Sequence, residues 1–229
     1  METVPTGIGS EVTSRGDRLD VWTGRTEGPL FALALIYLVA WSMIVLAPND
    51  DWNLALFSVM LLIWALFGGD YVVKLVLAER RGQYVFHHLP DLLAVILPFL
   101  RPAVQLTHIH SIPFFRRRTG AAQRTRIVVL AAAFAVLFVY SMALAVFSVE
   151  RDAPQSSMTT FGDAIWWACV TLFTVGYGDI VPVTVQGRVY AVMLMLGGIL
   201  IIGVASATIV SYLNERIHVR SDPEGHEGE

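Results

Sequence analysis

Five stretches of this chain, roughly residues 29 to 47, 53 to 78, 87 to 100, 127 to 149 and 187 to 212, are apolar over lengths that approach or exceed the ~20 helical residues needed to cross bilayer hydrocarbon. The composition agrees: 55% of the 229 residues are hydrophobic and only 15% are charged, an unusual balance for a soluble domain. The stretch from 101 to 118 is weaker, since it holds Arg101, Gln105, Thr107, His108 and His110, and it follows the third stretch across "PFLRP". Pro98 and Pro102 there favour a sharp reversal. If this stretch also spans, the count is six.

Charge placement tests that count. Lysine and arginine collect on alternate loops of membrane proteins. With the amino terminus inside, the cytoplasmic segments hold Arg15, Arg18, Arg25, Arg80, Arg81, Arg116, Arg117, Arg118, Arg124, Arg126, Arg216 and Arg220, and the external loops hold Arg151 and Arg188. Dropping the fourth span would put the arginines at 116 to 126 opposite Arg80 and Arg81. The expectation is therefore a multi-pass cell-membrane protein with six spans and both termini cytoplasmic. The net charge of -3 gives no sign of nucleic-acid binding, and the single Cys169 can close no intrachain disulfide. The first 28 residues lack the short apolar core and cleavage site of a signal peptide and read as a cytoplasmic tail.

One segment resists the pattern. "MTTFGDAIWWACVTLF", 158 to 173, predicts a short helix capped by Thr160 ahead of Asp163, too short to cross the bilayer. "TVGYGD" follows it, and non-helical backbone at membrane depth is tolerated only where protein buries it or it lines a watery cavity. Gly176 and Gly178, alternating with residues that carry side chains, open backbone conformations in which consecutive carbonyls face the same way. Such a column of oxygens can replace the water around a cation.

Residues 158 to 190 closely resemble the pore of tetrameric potassium channels. The resemblance implies that Thr174, Val175, Gly176, Tyr177 and Gly178 form a selectivity filter, with potassium ions held there and at no other metal site. It also implies filter support from Trp166, Trp167 and Asp179, with Asp179 tied to one tryptophan through its indole N–H; an interfacial aromatic belt is the alternative role for the aromatics. Phe173 stands where many relatives carry a second threonine, and Val170 matches the voltage-gated branch. Gly198, with Gly203 as a lesser candidate, falls where relatives carry a gating hinge; close helix packing is the alternative use of such a glycine.

The resemblance extends over the first four helices. Phe67, Asp70 and Lys74 share one helical face and Asp91 lies at similar depth on the third helix, matching the ring and acids past which sensor arginines move. A static ion cluster around Lys74 is the other reading. The fourth helix departs from the family: the period-three series reads Arg101, Val104, Thr107, His110, Pro113, Arg116, and only its ends keep a fixed charge. Each charge crossing the field is worth ~2.3 kcal/mol per 100 mV. One per subunit gives a tetramer about 9 kcal/mol, against about 30 for a full set. Pro113 would bend that helix. His110 can serve as a charge conditional on pH, facing Asp70 or Asp91, or can simply be hydrogen-bonded. A zinc site from His87, His88, His108 and His110 is disfavoured by their different depths.

The expected fold class is an all-α membrane protein: a four-helix voltage-sensor-like domain plus a two-helix pore domain with a re-entrant pore helix and selectivity filter, assembled as a homotetramer. The domains are a tail (1–28), the sensor-like domain (29–118), a basic connector (119–126), the pore domain (127–213) and a C-terminal tail (214–229). Membrane lipids are expected partners, anionic ones at the inner leaflet beside the connector. The expected function is passive, potassium-selective conduction with a weak voltage sensor, no enzyme activity and no cofactor beyond potassium. The alternatives are a non-conducting sensor or regulatory subunit and a pH-modulated channel without true voltage gating.

Overall fold

A computed structural model of the chain describes residues 15–47, 50–78, 82, 89–106 and 120–220. Its helices are α1 (Arg15–Leu46), α2 (Asp50–Leu77), α3 (Leu89–Ile96), a 3-10 turn (Pro98–Leu100), α4 (Arg101–Leu106), α5 (Gly120–Glu150), α6 (Phe161–Leu172) and α7 (Val185–Arg220). No strand occurs among the described residues. His87, His88, His108, His110, Pro113 and Arg116 lie outside them, as do the side chains of Arg124 and Arg126.

Four described helices are long and apolar enough to cross a membrane: Val21–Leu46, Asp51–Leu77, Val128–Glu150 and Val185–Ala207. Among the described residues, the third apolar stretch supplies the eight residues of α3, about 12 Å of helix, before the chain turns. Its end is local chemistry. Pro98 pushes Leu97 out of the helical region, to φ -121 and ψ 79, and then starts the 3-10 turn. Pro102 sits in the first turn of α4, where its missing N–H leaves no bond unmade. The fourth stretch is described only as far as Leu106.

Helices run without a break across three of the expected boundaries. α1 runs from Arg15 through Pro29, so residues 15–28 continue into the first span. α5 begins at Gly120, so residues 120–126 of the connector belong to the same helix as the span that follows, and α7 continues through Asn214 to Arg220.

In lipid, apolar burial by itself does not drive helices together; close packing and hydrogen bonds do. The largest core lies among α5, α6 and α7, where Met142, Leu144, Val146 and Leu194 are fully buried beside Trp167 and Leu172. The 3-10 turn reaches this core through Phe99, whose ring lies 5.3 Å from Trp41 of α1 and, edge-on, 5.6 Å from Tyr190 of α7. A smaller cluster joins α1 to α2 through Leu30, Ala34, Tyr37, Ile63 and Phe67.

Candidate functional site: the re-entrant segment and the charged cluster

The re-entrant segment starts from a firm cap. Thr160 is extended, at φ -123 and ψ 157, and its hydroxyl accepts the Asp163 N–H, while the Asp163 carboxylate accepts the N–H groups of Thr160 at 2.8 Å and Thr159 at 3.1 Å. This reciprocal box satisfies donors that a helix start would otherwise leave bare. The same bonds, led by that from the Thr160 N–H, hold the exposed Asp163 carboxyl below its ordinary range.

At the other end α6 hands over to the irregular segment. Thr174 takes a positive φ of 57°, which stops the helix, and the pattern then repeats at Gly176 (57°) and Gly178 (77°). Every second residue is thus left-handed. Right- and left-handed residues in alternation turn successive carbonyls to one side, and glycine carries that cost freely at two positions of three. Thr174 bears it with a side chain. Two amides, those of Val175 at 2.9 Å and Gly176 at 3.3 Å, donate to the carbonyl of Val170. A helix end has orphan acceptors, and here the irregular segment hangs from one.

Side chains fix the outer half. The Trp166 indole N–H donates to Asp179 at 2.9 Å, and its ring stacks on Tyr177 with centroids 5.7 Å apart and planes 5° from parallel. Of the two tryptophans only Trp166 makes this bond; Trp167 is buried in the core. Beyond Asp179 stands an anchor that sequence reasoning missed. Glu150, fully buried at the end of α5, accepts the N–H groups of Val183 (3.0 Å) and Thr184 (2.8 Å) and the Thr184 hydroxyl (2.6 Å). That hydroxyl also accepts the Gly187 N–H at 2.9 Å, and a Cβ at Gly187 would collide with the carboxylate. The available signal was an acid closing an otherwise apolar span.

α7 lies close behind. A Cβ at Gly197 would sit 2.3 Å from the Phe138 ring of α5, and one at Gly198 would press Leu172 of α6 at 3.2 Å; Gly203 has open space. Both glycines thus stand in close contact with a neighbouring helix, Gly198 against the end of α6. Beside the filter, between α6 and α7, a cavity of about 620 Å³ is lined by Thr174, Gly176, Gly178, Asp179, Val192 and Met195, among others.

The charged cluster sits apart, between α1, α2 and α4. Asp70 is 7% exposed and takes three partners: Lys74 at 2.9 Å, Arg101 at 3.7 Å and the Trp22 indole N–H at 3.0 Å. The Arg101 guanidinium stands 4.3 Å from the centroid of the fully buried Phe67 ring, and its Nη1 has no hydrogen-bond partner among the described residues. Burying an arginine so deeply in a membrane domain demands such compensation. Asp91 lies in the first turn of α3, close enough to act electrostatically on Arg101. Phe67, Asp70, Lys74 and Arg101 thus meet. Sequence reasoning missed Trp22, which reaches Asp70 from the extended start of α1.

Known proteins match both regions. A family model described as "Ion channel" matches residues 126–215. A voltage-gated potassium channel of the archaeon Aeropyrum pernix is 30% identical over 87% of this chain and 75% of its own length. Potassium voltage-gated channel subfamily A member 2 of Oncorhynchus mykiss is 39% identical over 80 residues, 35% of this chain, and member 4 of Homo sapiens is 39% identical over a stretch of the same length. Those stretches cover 16% and 12% of the animal channels, so the chain matches only a small part of their length.

Proposed function

This chain belongs to the voltage-gated potassium channel family, and from that premise we propose that four copies surround one axis and pass potassium through a filter built from Thr174, Val175, Gly176, Tyr177 and Gly178. The observation that carries the reading is the alternation of backbone handedness at 174, 176 and 178 on the segment hung from Val170. Four such segments give stacked rings of carbonyl oxygens in place of a hydration shell, with potassium their only metal. Trp166, Asp179 and Tyr177 brace the filter, Trp167 packs behind it, and Glu150 moors the loop that leaves it. The outer side chains of a single copy support the tetramer: Val175 is 52% exposed and Tyr177 67%, apolar surface that neighbouring copies would cover. The C-terminal end of α6 points its negative dipole toward the inner end of the filter, which favours a cation waiting there.

It is a channel and not an enzyme. It sits in the cell membrane with both termini cytoplasmic, and α3 and α4 complete six membrane segments whether they cross fully or as a short pair. The sensor is weak: Arg101 is held at Phe67 and Asp70, and within the described part of the fourth segment it is the one arginine. His110 and Arg116 would complete that segment, with anionic inner-leaflet lipids beside the arginines that follow. Gly198 acts as the hinge, since a bend there would lift α7 from Leu172 and release the foot of the filter.

Purified protein in planar bilayers, with potassium and sodium on opposite sides and voltage stepped at pH 5.5 and 7.5, tests this. A potassium-selective current with shallow voltage dependence is expected. A pure tetramer that carries no current at any voltage or pH would sink the reading.

A further inference from the structure

Between α1 and α5, on the side of the membrane where the filter opens toward Asp179, lies an open groove of about 610 Å³. Leu38, Val39, Ser42, Met43, Leu137 and Tyr140 shape it. Its two hydroxyls are already used: Ser42 donates to the Leu38 carbonyl at 2.7 Å, which leaves Tyr140 to donate to Ser42 at 2.8 Å. A surface whose hydroxyl donors are spent among themselves offers a ligand no free O–H donor, and the rest of the lining is apolar, so the groove suits a hydrocarbon chain. Val39 and Met43 are 60% and 51% exposed along it.

Its outer end is charged. α1 stops at Leu46, and Arg151, one residue past the end of α5, donates through Nη1 to the Val45 carbonyl and through Nε to Asp152 at 3.1 Å. Asp152 is 85% exposed and Arg151 29% exposed, so the guanidinium stands at the groove's end, on the Val45 carbonyl beside Leu46, with its paired carboxylate toward solvent. The groove residues belong to the membrane spans Val21–Leu46 and Val128–Glu150; Arg151 stands just beyond. An apolar slot at hydrocarbon depth under a cation at headgroup depth repeats the order of parts in a phospholipid.

We propose that this groove is a phospholipid site: one acyl chain lies along α1 and α5, and the phosphate accepts from the Arg151 guanidinium. The site joins the sensor-like helices to the pore at a place no part of the filter touches, and it does not depend on how the channel gates. A second copy of the chain is the competing occupant. It fits less well, because apolar cover from another protein would bring no anion to the Arg151 guanidinium at the end of the slot.

The test is photolabelling of the purified tetramer in liposomes with phosphatidylglycerol that carries a diazirine in mid-chain, with labelled peptides mapped by mass spectrometry. Saturable labelling of residues 38–43 and 137–140 is expected, above the labelling of Leu54 and Leu61 on the exposed face of α2, which reports bulk lipid. Arg151→Gln should weaken competition by unlabelled lipid about tenfold, the loss of one charge-assisted hydrogen bond. Leu137→Trp, which fills the slot and leaves Arg151 in place, should remove the saturable part and spare α2. Non-saturable labelling equal to that of α2 would overturn the proposal, as would undiminished labelling in Leu137→Trp or equal competition by diacylglycerol of the same chains. Protection of the groove together with chain-to-chain crosslinks there would assign it to a second copy instead.

Discussion

The pore region and the charged cluster each bury one carboxylate, and they treat it in opposite ways. Glu150 accepts from two backbone amides and a hydroxyl at 183–184, with the Ser156 hydroxyl beside it, so its charge is met by neutral donors fixed in place. Asp70 is met by a lysine, an arginine and an indole from three elements, with the arginine at a long 3.7 Å. The first arrangement specifies one geometry, because moving the loop would strand the carboxylate. The second tolerates exchange of partners. A membrane domain that shifts needs the second kind of site, and a filter that must keep its diameter needs the first.

The comparison breaks most visibly at the filter. Gly178→Ala puts a side chain on a residue at φ +77, a strain of about 1–2 kcal/mol in each of four subunits, and is expected to abolish selective potassium current in bilayers. A variant that conducts normally would remove handedness from the account. Glu150→Gln comes next. It places a donor against donors in a buried site and should cost about 2–4 kcal/mol, read as loss of the tetramer at lower temperature on denaturing gels. An equal loss in Asp70→Asn would erase the contrast between the two acids.

Arg101→Gln should lower the apparent gating charge by no more than about one per subunit, measured from the limiting slope of open probability against voltage. A parent slope worth twelve or more charges would show that other groups move. Gly203→Ala should be neutral or stabilise by about 0.5–1 kcal/mol, since the position has space and helical alanine outdoes glycine; a loss of opening there would move the hinge from Gly198. The smallest effect is acid. Because the folded Asp163 carboxyl titrates below its ordinary value of 3.8, the stability of the α6 cap is present above that value and is lost only as pH falls through the lower, folded one. Hydrogen exchange at the Thr160 and Asp163 amides should therefore show no extra opening between neutral pH and about 5.

The short helix α6 and the irregular segment after it were legible because their signals are local: a Thr-x-x-Asp start, a twelve-residue and mostly apolar run, and glycines two apart. Glu150 was not, since its partners lie more than thirty residues away and hydropathy sees only the end of a span. The pair at 197 and 198 reads equally as hinge or contact from sequence, and spacing alone could not name Phe138 and Leu172 as their neighbours. For the third and fourth segments, apolar content spoke of spans while Pro98 and Pro102 spoke of a turn. The prolines set the length of α3, because Phe99 could carry that turn into the shared core of α1 and α7. Phe67, Asp70 and Lys74 could be placed on one face from spacing alone, but nothing in spacing foretold that α1 would lend Trp22.

The alternation of hand at 174, 176 and 178 has a geometric result of its own. An ordinary strand coils as it advances, so four of them set about an axis would slide out of step within a few residues. A file of residues that undoes at each step the rotation of the one before has no net twist. In the proposed tetramer, quarter-turn copies of such a file would stay level along their length, and every storey of oxygens would form a flat square of one size.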